Sequence, residues 1–581
     1  MAKVSGNVEK ISTFMIKYRY REVLENMKKC RNNKITFKPY EQNQIVFLDL
    51  NSMVPENHVV REINDAIDKM NIDILLAKYA PGGTSSYNPR MMLKVIIFAY
   101  TQKIFSSRKI ATALKRDIYF MWLSGMNTPD FRTINDFRSE RMKDVIEKVL
   151  GQMTIMLAEQ GYINLEDYFV DGTKIEANAN KYTFVWKGSV EKYKRSLEKK
   201  VKELMEKIDE INKEEDKKYK NEDLPENRPV TSEQIKAFSD ELNKMLESEP
   251  ENKEIKKAKK KVDEDYLPRM EKYENQLLII GENRNSYSKT DTDATFMRMK
   301  EDAMKNGQLK PGYNVQIGTQ NQFVLNTMIL QDRNDNAALI PMLENLKENT
   351  GFTPKNVGAD SGYGNEETYE YLRNNKIGNF VKFTYFHKEQ KKKYKNNEYL
   401  TTNLKYIFSK DEYICPKGRR LKFTHISKRK TTTGYEQTYR NYECENCNDC
   451  ELKDKCTKAK GNRKIQINMK LNIHKNMVRK NLTSKKGLQM RSDRPIEVEA
   501  TFGNIKWNMG FKRFLLRGLH KVNIEWSLLC LAHNFNKLTR IKRKVKENAM
   551  EMVNFSHILV KSLNFLGINK KSTFVLENFL I

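Results

Sequence analysis

Between about residues 55 and 158, apolar positions recur every three or four residues, the period of helices with one buried face. The stretches NPRMMLKVIIFAYTQK (88–103) and SSRKIATALKRD (106–117) each predict a helix, with Ser106 or Ser107 as N-cap of the second. A third helix, PDFRTINDFRSERMKDVIEKVL, is expected after Thr128-Pro129. Its apolar face would be Phe131, Ile134 and Phe137, leaving Arg132, Asn135, Arg138 and Arg141 toward solvent. Helices in this order, the last with a basic face, fit a helix-turn-helix-like DNA module or a plain helical packing domain with solvated arginines.

The pattern then changes twice. Leu197, Val201, Leu204, Ile208 and Ile211 step by four and three, a heptad seam. After a break at NEDLPENRPVTS, Ile255, Val262, Met270, Tyr273 and Leu277 run back, interrupted at Pro268; an inserted antiparallel helical hairpin is the simplest expectation. Beyond it come strand patterns, GYNVQIGT (312–319) and FVLNTMILQ (323–331), and a helix NAALIPMLENLKENTG. NVGADSGYG (356–364), a helix around EETYEYLRNN, and a strand NFVKFTYF (379–386) follow. Helices return in RPIEVEATFGNIKWNMGF and KVNIEWSLLCLAHNFNKLTRIKRKV, and the tail from about 545 reads as irregular.

The expected divisions are a basic N-terminal arm (1–45), a helical domain (46–158), a core in three parts (159–187, 288–400, 466–544), two insertions (188–287, helical; 401–465, cysteine-rich) and a tail (545–581). Tyr168-Phe169-Val170 has the content of a strand and runs into Asp171-Gly172. Asp-Gly suits a tight turn, yet a carboxylate at the end of a buried strand must be paired, solvated or bound to a metal. With the insertions removed, the order is strand (Asp171), strand, strand, helix, strand (Asp360), helix, strand, helix (Glu499). That is the order of an RNase H-like α/β core, in which two strands and a later helix bring three carboxylates together. Three such groups can hold two Mg²⁺ ions about 3.5–4 Å apart. Each acid alone could equally be a turn residue or a solvated helix position.

Charge narrows the partners. A net charge of +30 over 581 residues, with 31% charged positions, favours a polyanion and nucleic acid first, because phosphate neutralisation releases counterions. A basic housekeeping protein with codon-inflated Lys and Asn would share that composition. The N-terminus lacks the apolar stretch of a signal peptide, and VIIFAY and SLLCLA are too short to span a bilayer. Five of the seven cysteines lie between Cys415 and Cys456, which in such a chain suggests metal rather than disulfides. Cys444, Cys447, Cys450 and Cys456 form a knuckle with Cys415 more distant, five candidates for a four-thiolate zinc site. Cys30 and Cys530 are expected as incidental or buried thiols, and His387 and His425 have no ligand spacing. The expectation is a cytoplasmic, nucleoid-associated protein with no membrane part.

The strings FVDGTKIEANANKYTFVWK, FMRMKEDAMKNGQLKPGYNVQIGTQNQFV, GADSGYG and IEVEATFGNIKWNMGFKRFLLRGLHKVNIEW resemble bacterial insertion-sequence transposases of the DDE type. PENHVVREINDAID and FMWLSGMNTPDFRTINDFRSER match the same group, and the similarity runs from about 45 to 540. The resemblance implies Asp171, Asp360 and Glu499 as a catalytic triad holding two Mg²⁺ (or Mn²⁺) ions. It favours Glu499 over Glu497, which lies roughly 200° round a helix from it. Lys506, seven residues after Glu499, and Arg494 upstream match family positions for phosphate contact, although the spacing of Arg494 departs slightly and no Tyr stands before it. The family pattern also favours Cys415, Cys447, Cys450 and Cys456 as Zn²⁺ ligands, with Cys444 spare. Lys181 and Trp186, in a basic aromatic cluster with Tyr182, Phe184 and Lys187, could stack on an unpaired base or anchor the insertion. The implied activity is binding of the element's own terminal inverted repeats in double-stranded DNA, Mg²⁺-dependent cleavage, and joining of the 3′-hydroxyls to target DNA by two chains acting as a homodimer on DNA. An inactive DNA-binding derivative, or a general nuclease of the same fold, are the alternatives.

Overall fold

Tyr168-Phe169-Val170 lies in a strand that does not stop at the Asp-Gly pair. The computed structural model describes residues 49–79, 86–215, 230–299 and 307–565. In it β1 (Asp167–Glu176) continues through Gly172. Asp171 therefore stands mid-strand opposite Ile317, and the expected strand end is corrected. The reason is lateral pairing: every residue from Phe169 to Glu176 has a partner on the neighbouring strand, which outweighs the local turn preference of Asp-Gly.

Two short paired strands, β2 (Phe184–Trp186) and β3 (Ser286–Ser288), flank the helical insertion. Then follow β4 (Thr295–Arg298), β5 (Leu309–Gln320), β6 (Phe323–Leu330), β7 (Asn356–Ala359) and β8 (Gly378–Val381). The central sheet has the order β4-β5-β1-β7-β8, with β6 also on β5. β5 is antiparallel to β1, β4 and β6, whereas β1, β7 and β8 run parallel. An antiparallel trio leading into a parallel trio, with β1 central, is the arrangement anticipated from the element order. β8 is shorter than the pattern NFVKFTYF suggested, ending at Val381 before a turn into the helix Phe386–Glu389.

The N-terminal helices are not a separate module. Val59–Lys69, Pro89–Thr101 and Ile146–Glu159 share one continuous apolar core with the sheet and with the long helix Leu519–Phe565. The expected third helix is three pieces: Phe131–Asp136, a π turn Phe137–Arg141, and Ile146–Glu159 after Asp144 at φ 61°. Arg138, expected in solvent, is buried. It lies four residues after Ile134 and seven after Phe131, hence on their face, and donates to Phe105 O (2.7 Å), Ser107 Oγ (3.1 Å), Tyr100 Oη (3.2 Å) and Asn135 Oδ1 (3.3 Å). The buried Glu525 carboxylate offsets its charge.

The insertion is a three-helix unit, not a hairpin: Lys187–Glu215, Ser232–Ser248, and Lys253–Lys261 continuing through a π turn into Leu267–Ile280. The seam residues Leu197, Val201 and Ile208 share one apolar cluster with Ile235, Phe238 and Leu242 of the middle helix and with Val262 and Met270 of the last, and the first helix packs chiefly on the last. Pro268 is tolerated because the π turn Val262–Tyr266 precedes it, where the ordinary helical hydrogen bond is already displaced. The cysteine-rich region forms a second, antiparallel sheet from β9 (Lys405–Ile407), β10 (Glu412–Ile414), β11 (Arg420–Lys430), β12 (Glu436–Cys444) and β13 (Lys464–Ile467), in the order β13-β12-β11-β10-β9. The tail expected as irregular from 545 is helical to Phe565. The expected arm at 1–45 and the last residues of the tail lie outside the described residues.

Candidate active site

Strand register sets the site. Val170 of β1 pairs with Ala359 of β7, which pairs with Val381 of β8. The residues one step further, Asp171, Asp360 and Lys382, thus stand in a row at the same level of three parallel neighbours. The helix Lys485–Arg494 packs on β7 and β8 and leads into a π turn, Pro495–Glu499. The wider i→i+5 turn brings positions five apart close to one face, and Arg494 and Glu499 approach to 4.0 Å.

Arg494 joins all three expected carboxylates. One terminal nitrogen lies 3.0 Å from Asp171 and 3.8 Å from Asp360, the other 4.0 Å from Glu499. Its side chain is 9% exposed and that of Asp171 12%, against 51% for Asp360 and 64% for Glu499. The site is therefore closed at Asp171 and open on the side of the other two acids. Glu497 points elsewhere: it is buried and accepts the backbone N–H of Gln322 (2.6 Å) at the β5–β6 turn, and burial pushes its carboxyl above the usual range. Lys506 is buried and donates to Thr173 Oγ1 (2.7 Å) and Lys174 O (3.3 Å) on β1.

A polar relay absent from the sequence reasoning ties the Asp360 turn to the sheet. Three residues after Asp360, the buried Tyr363 hydroxyl donates to Gln316 Oε1 on β5. Gln316 Nε2 donates in turn to Asp335 Oδ1 (2.8 Å) and Asn314 Oδ1 (3.1 Å), and Asn314 Nδ2 donates to Asp335 (2.8 Å). Gln316 fits only because its partner across the strands is Gly172: a Cβ there would collide with the Gln316 amide. Burial, with Asp335 and Asp171 nearby, holds the Tyr363 phenol well above its usual range, so it stays a donor. The only sequence signal was the motif GADSGYG itself. Lys382 was also missed; burial and Arg494 lower its ammonium from the ordinary lysine value, while Asp360 and Glu499 oppose that shift.

Three carboxylates sharing one cation are a hard oxygen donor set of the kind that suits Mg²⁺ or Mn²⁺. In this structure the Arg494 guanidinium stands among them, and among the described residues no three His, Cys, Asp or Glu side chains are gathered tightly enough to enclose an ion. The same applies to the cysteines. Cys415, Cys444 and Cys447 are buried in the apolar cluster of the second sheet with Tyr413, Leu421 and Tyr442. Cys444, expected as the spare thiol, is the most buried of them, and burial and Cys447 push it up to about 12. Cys450 and Cys456 are half-buried, and the Cys456 sulfur accepts from Arg463 (3.0 Å). The expected four-thiolate zinc site is not assembled, and no role for zinc follows.

The remaining expected DNA contacts are dispersed. Arg132 is exposed, 5.7 Å over the Phe131 ring. Arg141 is half-buried, 4.7 Å over Tyr79, and donates to Lys78 O. Lys181 pairs with Glu176 (3.7 Å), and Trp186 packs edge-on against Phe184 (5.7 Å) and near Phe296 (6.1 Å) beside the insertion. Among the described residues no helix is long and apolar enough to cross a membrane.

Residues 414–539, which include Glu499 and Lys506, match the family model described as transposase DDE domain. Residues 48–140 match a second, described as transposase domain (DUF772). No curated protein and no solved structure matches the chain. Two stretches of the chain therefore match transposase models, one of them a DDE domain, which is consistent with an insertion-sequence DDE transposase.

Proposed function

We propose that the protein cuts DNA at the terminal inverted repeats of its own insertion sequence and joins the freed ends to target DNA. The observation that carries this reading is the convergence of Asp171, Asp360 and Glu499, from two strands and a helix, on Arg494. These three carboxylates would hold divalent cations, Mg²⁺ or Mn²⁺ and two at the working site, which render a bound water nucleophilic and stabilise the leaving oxygen. Arg494 pairs with the buried Asp171 and aims it, while the exposed Asp360 and Glu499 leave one side open for the DNA backbone. Water oxygen bonds to the scissile phosphorus, the bridging 3′-oxygen leaves, and a 3′-hydroxyl and a 5′-phosphate result. That hydroxyl then attacks a target phosphodiester in line, displacing its 3′-oxygen; one P–O bond forms for each broken, and no protein–DNA bond is made. Lys506, held against β1, supports the strand carrying Asp171. Arg132, at the exposed face of the N-terminal helices, is a contact to the repeat, and two copies would act on two ends as a homodimer.

The test uses purified full-length protein, duplexes carrying the inverted repeats that flank its gene, and Mg²⁺. Nicking at the repeat end and joining to a plasmid in the wild type, both lost in Asp171→Ala, is the expected result. Specific binding with no cleavage by either protein would instead identify a DNA-binding derivative. Cleavage of any duplex without joining would identify a nuclease.

A further inference from the structure

We infer that Lys382 binds a non-bridging oxygen of the scissile phosphate, completing with Asp171 and Asp360 a row of three side chains across β1, β7 and β8. This rests on the transposase reading of the site. The placement follows from register: Lys382 is one step beyond Val381 as Asp360 is one step beyond Ala359, and its backbone N–H donates to Ala359 O (3.3 Å). The backbone is pinned there, since a Cβ on Gly364 would strike the Lys382 carbonyl. Lys382 is half-buried, and among the described residues its ammonium makes no ion pair or hydrogen bond, because Arg494 already occupies the three carboxylates. A partly desolvated ammonium without a partner is costly, and an anion would relieve it. The neighbouring charges select the kind of anion. Arg491 and Arg494 add positive charge near Lys382, and Asp360 and Glu499 supply oxygen donors near it. A phosphodiester between them presents one oxygen to the carboxylate side and the other to Lys382. The lysine then neutralises charge that grows on the phosphate as the reaction proceeds.

Binding and cleavage are measured separately with the repeat-end duplex. With Ca²⁺ replacing Mg²⁺, affinity is followed from 50 to 200 mM NaCl. Each lost phosphate contact reduces the slope of log K against log salt by about 0.9. Lys382→Gln is expected to lower the slope by one such step and to slow single-turnover cleavage roughly 100-fold, whereas Lys382→Arg restores most of both. A duplex with a methylphosphonate at the scissile position lowers the slope of the wild type by the same step and leaves Lys382→Gln unchanged. A further drop for Lys382→Gln on that duplex, or slope and rate within about twofold of wild type on the ordinary one, overturns the inference. Equal loss in the Arg and Gln variants, with a lowered unfolding temperature, makes the lysine structural and also overturns it. Lys382→Met, which keeps the aliphatic stem, replaces Gln should that variant not fold. The control is Asp171→Ala: if it cleaves like wild type, the transposase reading fails first, independently of Lys382.

Discussion

Replacing Arg494 by Gln takes from the buried Asp171 carboxylate the guanidinium that stands 3.0 Å from it. Charge centres about 4 Å apart attract by about 4 kcal/mol at an effective dielectric near 20. Stripping one partner from a buried pair costs about 3–5 kcal/mol, because the remaining charge keeps its desolvation penalty. The pairs to Asp360 at 3.8 Å and Glu499 at 4.0 Å involve exposed carboxylates and together add roughly 1 kcal/mol or less. A loss of about 3–6 kcal/mol is expected in total. It is best measured as the opening free energy of the β1 amides from Phe169 to Thr173 by native-state hydrogen exchange, which reports locally in a chain of this size. Asp171→Asn combined with Arg494→Gln removes both charges, so the double variant should regain at least about 2 kcal/mol over the sum of the singles. A coupling below about 0.5 kcal/mol, or unchanged exchange in Arg494→Gln, would refute the view that Arg494 holds the site together.

The two glutamates of the Pro495–Glu499 turn should separate by phenotype. Glu499→Gln abolishes cleavage with an unchanged unfolding temperature, whereas Glu497→Ala leaves the Gln322 N–H without its acceptor and costs about 1–3 kcal/mol in stability, read by thermal unfolding, with cleavage retained. Tyr363→Phe cuts the relay to Gln316; cleavage should fall about tenfold and require more Mg²⁺ for half-maximal rate, and an unshifted Mg²⁺ requirement would count against a positioning role. His533, fully buried with Nε2 beside Gln322 O (2.9 Å), is lowered to about 4 by burial. A histidine lowered in the folded state favours its neutral form there, so its stabilisation is present above its ordinary pKa of about 6.5 and is lost as pH falls from there toward 4, up to about 3 kcal/mol. The acid limb of a stability–pH curve should flatten in His533→Gln.

The order of strands and helices was legible in the chain, and the three acids expected from it stand together around Arg494. Alternation and three-to-four spacing are local consequences of which faces are buried, and Asp171, Asp360 and Glu499 each occupy a position that the element order makes special. What failed depended on contacts between distant segments. Gly172 continues β1 because β5 supplies a partner for each residue, whatever the local preference for a turn. Arg138 is inside because Tyr100, Phe105 and Ser107 satisfy it and Glu525 offsets its charge, none of which a basic stripe on one helix reveals. The middle helix of the insertion joins the apolar cluster of Leu197, Val201 and Ile208 only through the folded packing of all three helices. The sequence by itself determined the elements and the chemistry they can carry, because side-chain type and period act within a few residues. Only the tertiary structure decided that a π turn would bring Arg494 level with Glu499, that Tyr363 would reach Gln316, and that Lys382 would stand beside Asp360. Strand register and helix packing join residues far apart in the chain, and no local pattern encodes which of them meet.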